Sequence, residues 1–290
     1  MRSADTKGVS HARSFNVFLA LFVMGTICAY VIFWLFPISA GQLDLPRNAL
    51  WRVVHDLCVP GQSEHHDPMP CLQVNLDGGI ENGFAILRDP RGGTQFLLVP
   101  TIQISGIESP IVRGANAMNY FASAWEARSH INDALHLTLP RDDVGMAINS
   151  SASRSQDQLH IHFSCIRADV LEILHQHEGV IGDQWAPFNV SLVGHRYKAM
   201  WVLGEHLGPN NPFRLLAEGL PEAMRDMRNR TLVVIGLTRS DGTKGFVILE
   251  DQVNIERSDL AIGEELLDNA CRVSALEKEP DSGLIEPRIK

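Results

Sequence analysis

The stretch SRSQDQLHIHFSC, from Ser153 to Cys165, decides how the rest of the chain is read. Gln158–Ile166 reads as a β-strand, and from Gln158 to Cys165 polar and apolar residues alternate with the period of two that marks one. Successive strand side chains point to opposite faces, so Gln158, His160 and His162 share one face. Leu159, Ile161 and Phe163 share the other and suit a core. Two imidazoles and an amide in a row are a poor choice for a purely structural surface, although a lone His-x-His arises by chance in many proteins. Two chemistries use such a pair. Same-face imidazoles can bind Zn²⁺, but that needs further ligands, and no carboxylate or Cys stands at motif spacing. The alternative is attack of an imidazole on phosphorus, giving a covalent intermediate that water releases. Flanking donors then stabilise the charge on the pentacoordinate phosphorus.

Outward from this strand the pattern is α+β. Val144–Asn149 reads as the preceding strand, joined to it by a Ser-rich loop. Upstream, the spacing predicts a helix over Asn48–Leu57, strands over Leu72–Leu76 and Gly83–Arg88, and a turn at Asp89–Gly93. QFLLVPTIQISGI (95–107) begins as an apolar strand that Pro100 stops. Ala115–Leu135 reads as one long amphipathic helix. Downstream come a helix over Ala168–His177, a strand over Tyr197–Leu203, and helical segments over Phe213–Ala217 and Pro221–Asn229. A hairpin of Leu232–Leu237 and Gly245–Leu249 follows, then a last helix over Ile262–Val273. Antiparallel hairpins with helices packed on a sheet are expected. No clear internal repeat is present, though two weakly similar α+β halves are compatible with the order.

The N-terminus is of another kind. FNVFLALFVMGTICAYVIFWLF, from Phe15 to Phe36, carries no charge over 22 residues. As a helix it would rise about 33 Å, enough for a bilayer core of about 30 Å. That is long for the apolar region of a cleaved signal peptide, so an uncleaved anchor is expected, with cleavage near Ala40 as the alternative. Arg2, Lys7 and Arg13 against Asp5 give residues 1–14 a net charge of +2, which places them in the cytoplasm by the positive-inside rule. The rest of the chain would then lie outside, in the periplasm of a Gram-negative cell, anchored by one pass through the inner membrane. The expected organisation is a cytoplasmic segment 1–14, an anchor 15–36, a linker 37–48, a catalytic domain 49–276 and a tail 277–290. With −9 overall, the chain beyond residue 14 holds −9 − 2 = −11. An acidic balance argues against nucleic acid as a partner, since phosphate backbones select basic surfaces.

Cys28 lies within the apolar run, leaving Cys58, Cys71, Cys165 and Cys271. Four cysteines in an oxidising space allow three pairings. Cys58 and Cys71 bracket the polar segment PGQSEHHDPMP (60–70), which favours Cys58–Cys71 and leaves Cys165–Cys271. Four buried thiols are the alternative. Further candidates for a phosphate site are His195 and Lys198 in a basic cluster with Arg196, Arg154 beside Ser155, and Asn149 at a strand end. A solvated face would account for the cluster equally, and Asn149 could simply cap the loop.

Phe96–Pro100 followed, some 50 residues later, by Ser155–His162 resembles the histidine-triad (HIT) superfamily of nucleotide hydrolases and transferases. The departure is Gln158, which stands where that family has its first His. In the preferred register Ser155 takes the family's Ser/Thr position, His160 is the nucleophile and His162 the third His. In the other register His162 is the nucleophile and Ser164 replaces the third His. More narrowly, Cys71–Val74, the run Asn149-Ser150 to His162, and Gly194-His195-Arg196-Tyr197 resemble the bacterial CDP-diacylglycerol pyrophosphatase family. That resemblance implies a HIT-like sheet over about residues 44–275. It implies cleavage of CDP-diacylglycerol to CMP and phosphatidate through a covalent nucleotidyl-His160, with His162, Ser155 and Gln158 on the phosphate oxygens and no metal or cofactor. A tethered enzyme would meet such a lipid in the bilayer. A nucleotidyltransferase of the same fold and a non-catalytic nucleotide or lipid sensor fit the same residues.

Overall fold

The computed structural model describes residues 46–273. The anchor at 15–36, the cytoplasmic segment, the linker up to residue 45 and the tail lie outside the described residues. Among the described residues no helix is long and apolar enough to cross a membrane.

The described chain is built on one antiparallel sheet of ten strands. They are β1 (Gln73–Asn75), β2 (Phe84–Arg88), β3 (Phe96–Pro100), β4 (Val144–Ile148), β5 (Ile161–Ile166), β6 (Ala186–Pro187), β7 (Lys198–Leu203), β8 (Arg230–Thr238), β9 (Lys244–Gln252) and β10 (Leu267–Asp268). The order across the sheet is β1-β2-β3-β5-β4-β8-β9-β7-β6, and β10 pairs with the end of β5 that β3 leaves free. The sheet is continuous across the two halves of the sequence, where Gly145–Ile148 meets Leu232–Ile235.

One face is covered by the helices Tyr120–Glu126, Ser129–Leu135 and Pro212–Gly219. Their apolar residues, among them Phe121, Trp125 and Phe213, pack with Phe96, Phe163, Met146 and Phe246 from the strands. The other face carries two separate apolar clusters. Val54, Cys58 and Val59 pack on Ala85, Leu97 and Val99 over β1–β3. Val170 and Leu174 pack with Ala147, Val233 and Leu249 over β4, β8 and β9. His162 is paired in register with Leu97 on one side and Ala147 on the other. Cross-strand partners share a face, so the polar stripe of β5 runs in the seam between these two clusters.

Two helices differ from the sequence reading. Ala115–Leu135 is not one helix: it is Tyr120–Glu126 and Ser129–Leu135, broken at Ala127 and Arg128. The Arg128 guanidinium donates to the Trp125 carbonyl at 2.6 Å and lies over the Trp125 ring, closing the first helix at its C-terminus. The last helix, Ile262–Val273, does not form. In its place stand a 3₁₀ turn (Gly263–Leu266) and β10. Gly263 lies so close to β8 that a Cβ there would come within 2.3 Å of Thr231 Oγ1. Leu267 and Asp268 take up pairing with Ile166 and Cys165, and Cys271 is bonded to Cys165. Sheet pairing and a covalent tie outweigh the local helical spacing. Both disulfides are those favoured from the sequence, Cys58–Cys71 and Cys165–Cys271.

Candidate active site

His160 and His162 meet edge to face, with ring centroids 4.9 Å apart. Both are buried. Residue 160 lies just before regular strand pairing begins, but the alternation of faces continues through it. Leu159 N–H donates to the Ile104 carbonyl at 2.6 Å, which extends β5 against the loop after β3.

The two imidazoles are held in different ways. His160 Nδ1 lies 2.7 Å from the Gln158 carbonyl oxygen. A carbonyl can only accept, so the proton sits on Nδ1 and the lone pair on Nε2. Burial pushes the His160 pKa down to about 4, and the neighbouring His162 pushes in the same direction. His160 is therefore a neutral imidazole at physiological pH, with its lone pair on Nε2.

His162 instead meets a charged cluster through Nδ1. Gln95 Nε2 is 2.5 Å away, Glu264 Oε2 3.1 Å and Asp89 Oδ2 3.6 Å. Arg91 joins the two carboxylates, with Nη2 at 2.7 Å from Glu264 and 2.9 Å from Asp89. Burial opposes ionisation of Glu264, but the Arg91 hydrogen bond and the charge of His162 outweigh it and hold its pKa at about 2. Burial likewise opposes ionisation of Asp89, and hydrogen bonds with His162 and Arg91 hold it well below the usual carboxylate range. Two carboxylates and one guanidinium leave a charge of −1 facing His162. The opposite ring atom, Nε2, is buried without a hydrogen-bond partner. Orphaned buried groups of this kind are uncommon in folded proteins.

Other residues singled out from the sequence have different places. Gln158 is fully buried and is the peg for the loop after β3. Its Oε1 accepts from Ile104 N at 3.1 Å, and its Nε2 donates to the carbonyls of Pro100 and Ile102. Those bonds use both amide hydrogens and tie the loop after β3 to the start of the histidine strand. Arg154 is held in bidentate fashion by Glu108, at 2.8 and 2.9 Å, and also meets Asp157. Its charge acts on His160. Asn149 Oδ1 accepts from Glu264 N at 3.1 Å, so Asn149 holds the segment that carries the Glu264 carboxylate. Ser155 is exposed in the loop before the strand, and among the described residues no hydrogen bond joins it to either histidine. His195 lies between Asp259 and Glu265, at 2.7 and 3.1 Å.

Lys198 is not brought to the histidine pair. It starts β7, four strands from β5, or about 19 Å at the usual strand spacing. It is paired with Glu222 at 2.5 Å. Conversely, Asp89, Arg91, Gln95 and Glu264 were not picked out from the sequence. The turn Asp89–Gly93 was read for its shape alone, and Glu264 fell in the helix that does not form. A polar Gln95 at the head of an apolar strand was the one available signal.

The sequence model of the CDP-diacylglycerol pyrophosphatase family matches residues 45–275. A CDP-diacylglycerol pyrophosphatase of Yersinia pestis is 38% identical over 226 residues, which is 78% of this chain and 84% of that protein.

Proposed function

Because this chain belongs to the CDP-diacylglycerol pyrophosphatase family and is accordingly a hydrolase, we propose that it cleaves its substrate through a covalent cytidylyl-histidine on His160. In this reading Nε2 of His160 attacks the cytidylyl phosphorus. The N–P bond forms as the anhydride P–O bond breaks, and phosphatidate leaves. Water then attacks the same phosphorus, releasing CMP and returning the lone pair to Nε2. The observation that carries the proposal is the hydrogen bond from His160 Nδ1 to the Gln158 carbonyl. It fixes the tautomer a nucleophilic imidazole needs, without a separate base.

His162 would serve the same phosphorus by donation from Nε2. The Gln95 amide N–H can only donate to Nδ1, which leaves the ring proton on Nε2, where it can bond the charge developing on the phosphoryl oxygens. Arg154 would add positive potential while its guanidinium stays anchored to Glu108 and Asp157. Ser155 remains a proposed phosphate ligand on the strength of its position in the motif. The test is incubation with CDP-diacylglycerol labelled in the cytidylyl phosphate, followed by an acid quench. Labelled CMP and a labelled, acid-labile protein adduct are expected. CMP formed without any adduct, in single turnovers fast enough to trap one, would point to direct attack by water.

We also propose that residues 15–36 anchor the chain in the inner membrane, with residues 1–14 cytoplasmic and the catalytic domain periplasmic. Support comes from the uncharged run and the basic residues before it. Retention in the membrane pellet after a carbonate wash is expected. Native protein that starts near residue 41 would show a cleaved signal instead.

A further inference from the structure

A second cluster lies outside the histidine pair, where the end of β9 meets the loop before Gly263. His195, Asp251 and Asp259 offer one ligand atom each, all within 4.8 Å of one another. His195 Nδ1 is 2.7 Å from Asp259 Oδ2, and its Nε2 is 3.1 Å from Glu265 Oε1. Asp251 is 9% exposed, and its Oδ2 is buried with no hydrogen-bond partner. These are not surface acids spread over open solvent. Three carboxylates, those of Asp251, Asp259 and Glu265, gather on one imidazole.

We propose that His195 Nδ1, Asp251 and Asp259 form a binding site for a divalent transition-metal ion of the zinc class. One imidazole and two carboxylates are a common donor set for such ions, whose ligands stand at about 2.0–2.2 Å. Ligands around one ion at that radius lie about 3.3–3.6 Å apart, so an ion would part His195 Nδ1 from Asp259, now 2.7 Å away, by somewhat under 1 Å, within a cluster that spans no more than 4.8 Å. Glu265 then has a defined part. It accepts from the other ring nitrogen of His195, the carboxylate–histidine–metal arrangement that fixes ring orientation and tautomer. The ion would staple the loop after β9 to the turn at His195. Asp259 Oδ1 accepts from Ala261 N, and Ala261 and Leu260 carbonyls accept from Ser150. Three residues on from Ala261 stands Glu264, whose carboxylate meets His162. The ion is thus a positioning device for that carboxylate and no participant in the chemistry.

The full chain, stripped with a chelator, is titrated with ZnCl₂ by calorimetry and in thermal melts. One equivalent is expected to bind and to raise Tm. Asp251→Asn and Asp259→Asn should each weaken binding at least ten-fold, and Glu265→Gln by about 10–100-fold. His160→Ala and His162→Ala should leave the Zn²⁺ affinity unchanged. Formation of the cytidylyl adduct should survive chelation. No binding below 100 µM Zn²⁺ in the wild type would overturn the proposal without any variant. So would equal affinity in the folded Asp251→Asn protein, or loss of the bound equivalent in His160→Ala, which would move the ion to the histidine pair.

Discussion

The depressed pKa of His160 makes a prediction that separates this site from one with an ordinary histidine. In the proposed mechanism the catalytic form is the neutral ring, so kcat/KM should follow the neutral fraction of His160 on its acid limb. With a pKa of about 4, about 90% of the enzyme is competent at pH 5. With the unperturbed value of about 6.5, only about 3% would be. The two cases differ about thirty-fold at one pH. Glu264 and Asp89 ionise well below this range, so neither blurs the limb. The assay is CMP release from CDP-diacylglycerol in mixed micelles at limiting substrate, from pH 4 to 8. A plateau from about pH 5 upward is expected, bending near pH 4.

Variants give the sign. The charge of His162 pushes the His160 pKa down, whereas that of Glu264 pushes it up. His162→Ala should therefore move the residual acid limb to higher pH, and Glu264→Gln should move it lower. Burial is the larger cause and remains in both, so neither shift should reach the unperturbed value. A wild-type limb between pH 6 and 7 would refute the reasoning, because the nucleophile would then be a solvated histidine. The same shift enters stability. Between about 6.5 and 4 the unfolded chain binds the proton that folded His160 refuses, so this stabilisation is complete above pH 6.5 and is lost as the pH falls through that window.

His160→Ala should remove the covalent adduct and lower turnover by several orders of magnitude, whereas His162→Ala should keep adduct formation and cost about 10²–10³-fold. The reverse pattern would show that His162 is the nucleophile. Gln158→Ala strips partners from Ile104 N–H and the carbonyls of Pro100 and Ile102. At about 1 kcal/mol or more for each buried group, urea denaturation should show a loss of about 3 kcal/mol. Lys198→Ala should leave kcat/KM within about two-fold, given the strand spacing that separates it from β5. Cys165 and Cys271 are 106 residues apart and Cys58 and Cys71 only 13. Chain entropy assigns about 4.7 kcal/mol to a loop near 100 residues and about 3 to one near 15, so the Cys165→Ser/Cys271→Ser variant should be the less stable of the two double variants.

Local alternation made the centre of this site legible. The faces of β5 follow from a period of two, which depends only on the chain itself, and so His160 and His162 could be set together before any fold was known. The disulfides were legible for a similar reason: once Cys58 is joined to Cys71 across a short polar segment, only one pairing remains. Lys198 could not be placed that way. Its basic neighbours suggested a phosphate site, but the strand order puts β4, β8 and β9 between β5 and β7, and order across a sheet is a long-range property.

Glu264 shows the harder limit. It is 102 positions from His162 in sequence, and its arrival at 3.1 Å depends on three separate events. Gly263 must lie against Thr231, Leu267 must pair with Ile166, and Cys271 must close on Cys165. Each is a tertiary contact that overrides a local helical pattern. Asn149 takes its meaning from the same events. Read alone it is a strand-end polar residue that could touch a phosphate. In the structure its side chain accepts from the backbone of Glu264, so a carboxylate reaches His162 through a residue that precedes the histidine strand by a short loop. The motif supplies the two imidazoles, and the fold supplies the charge opposite His162.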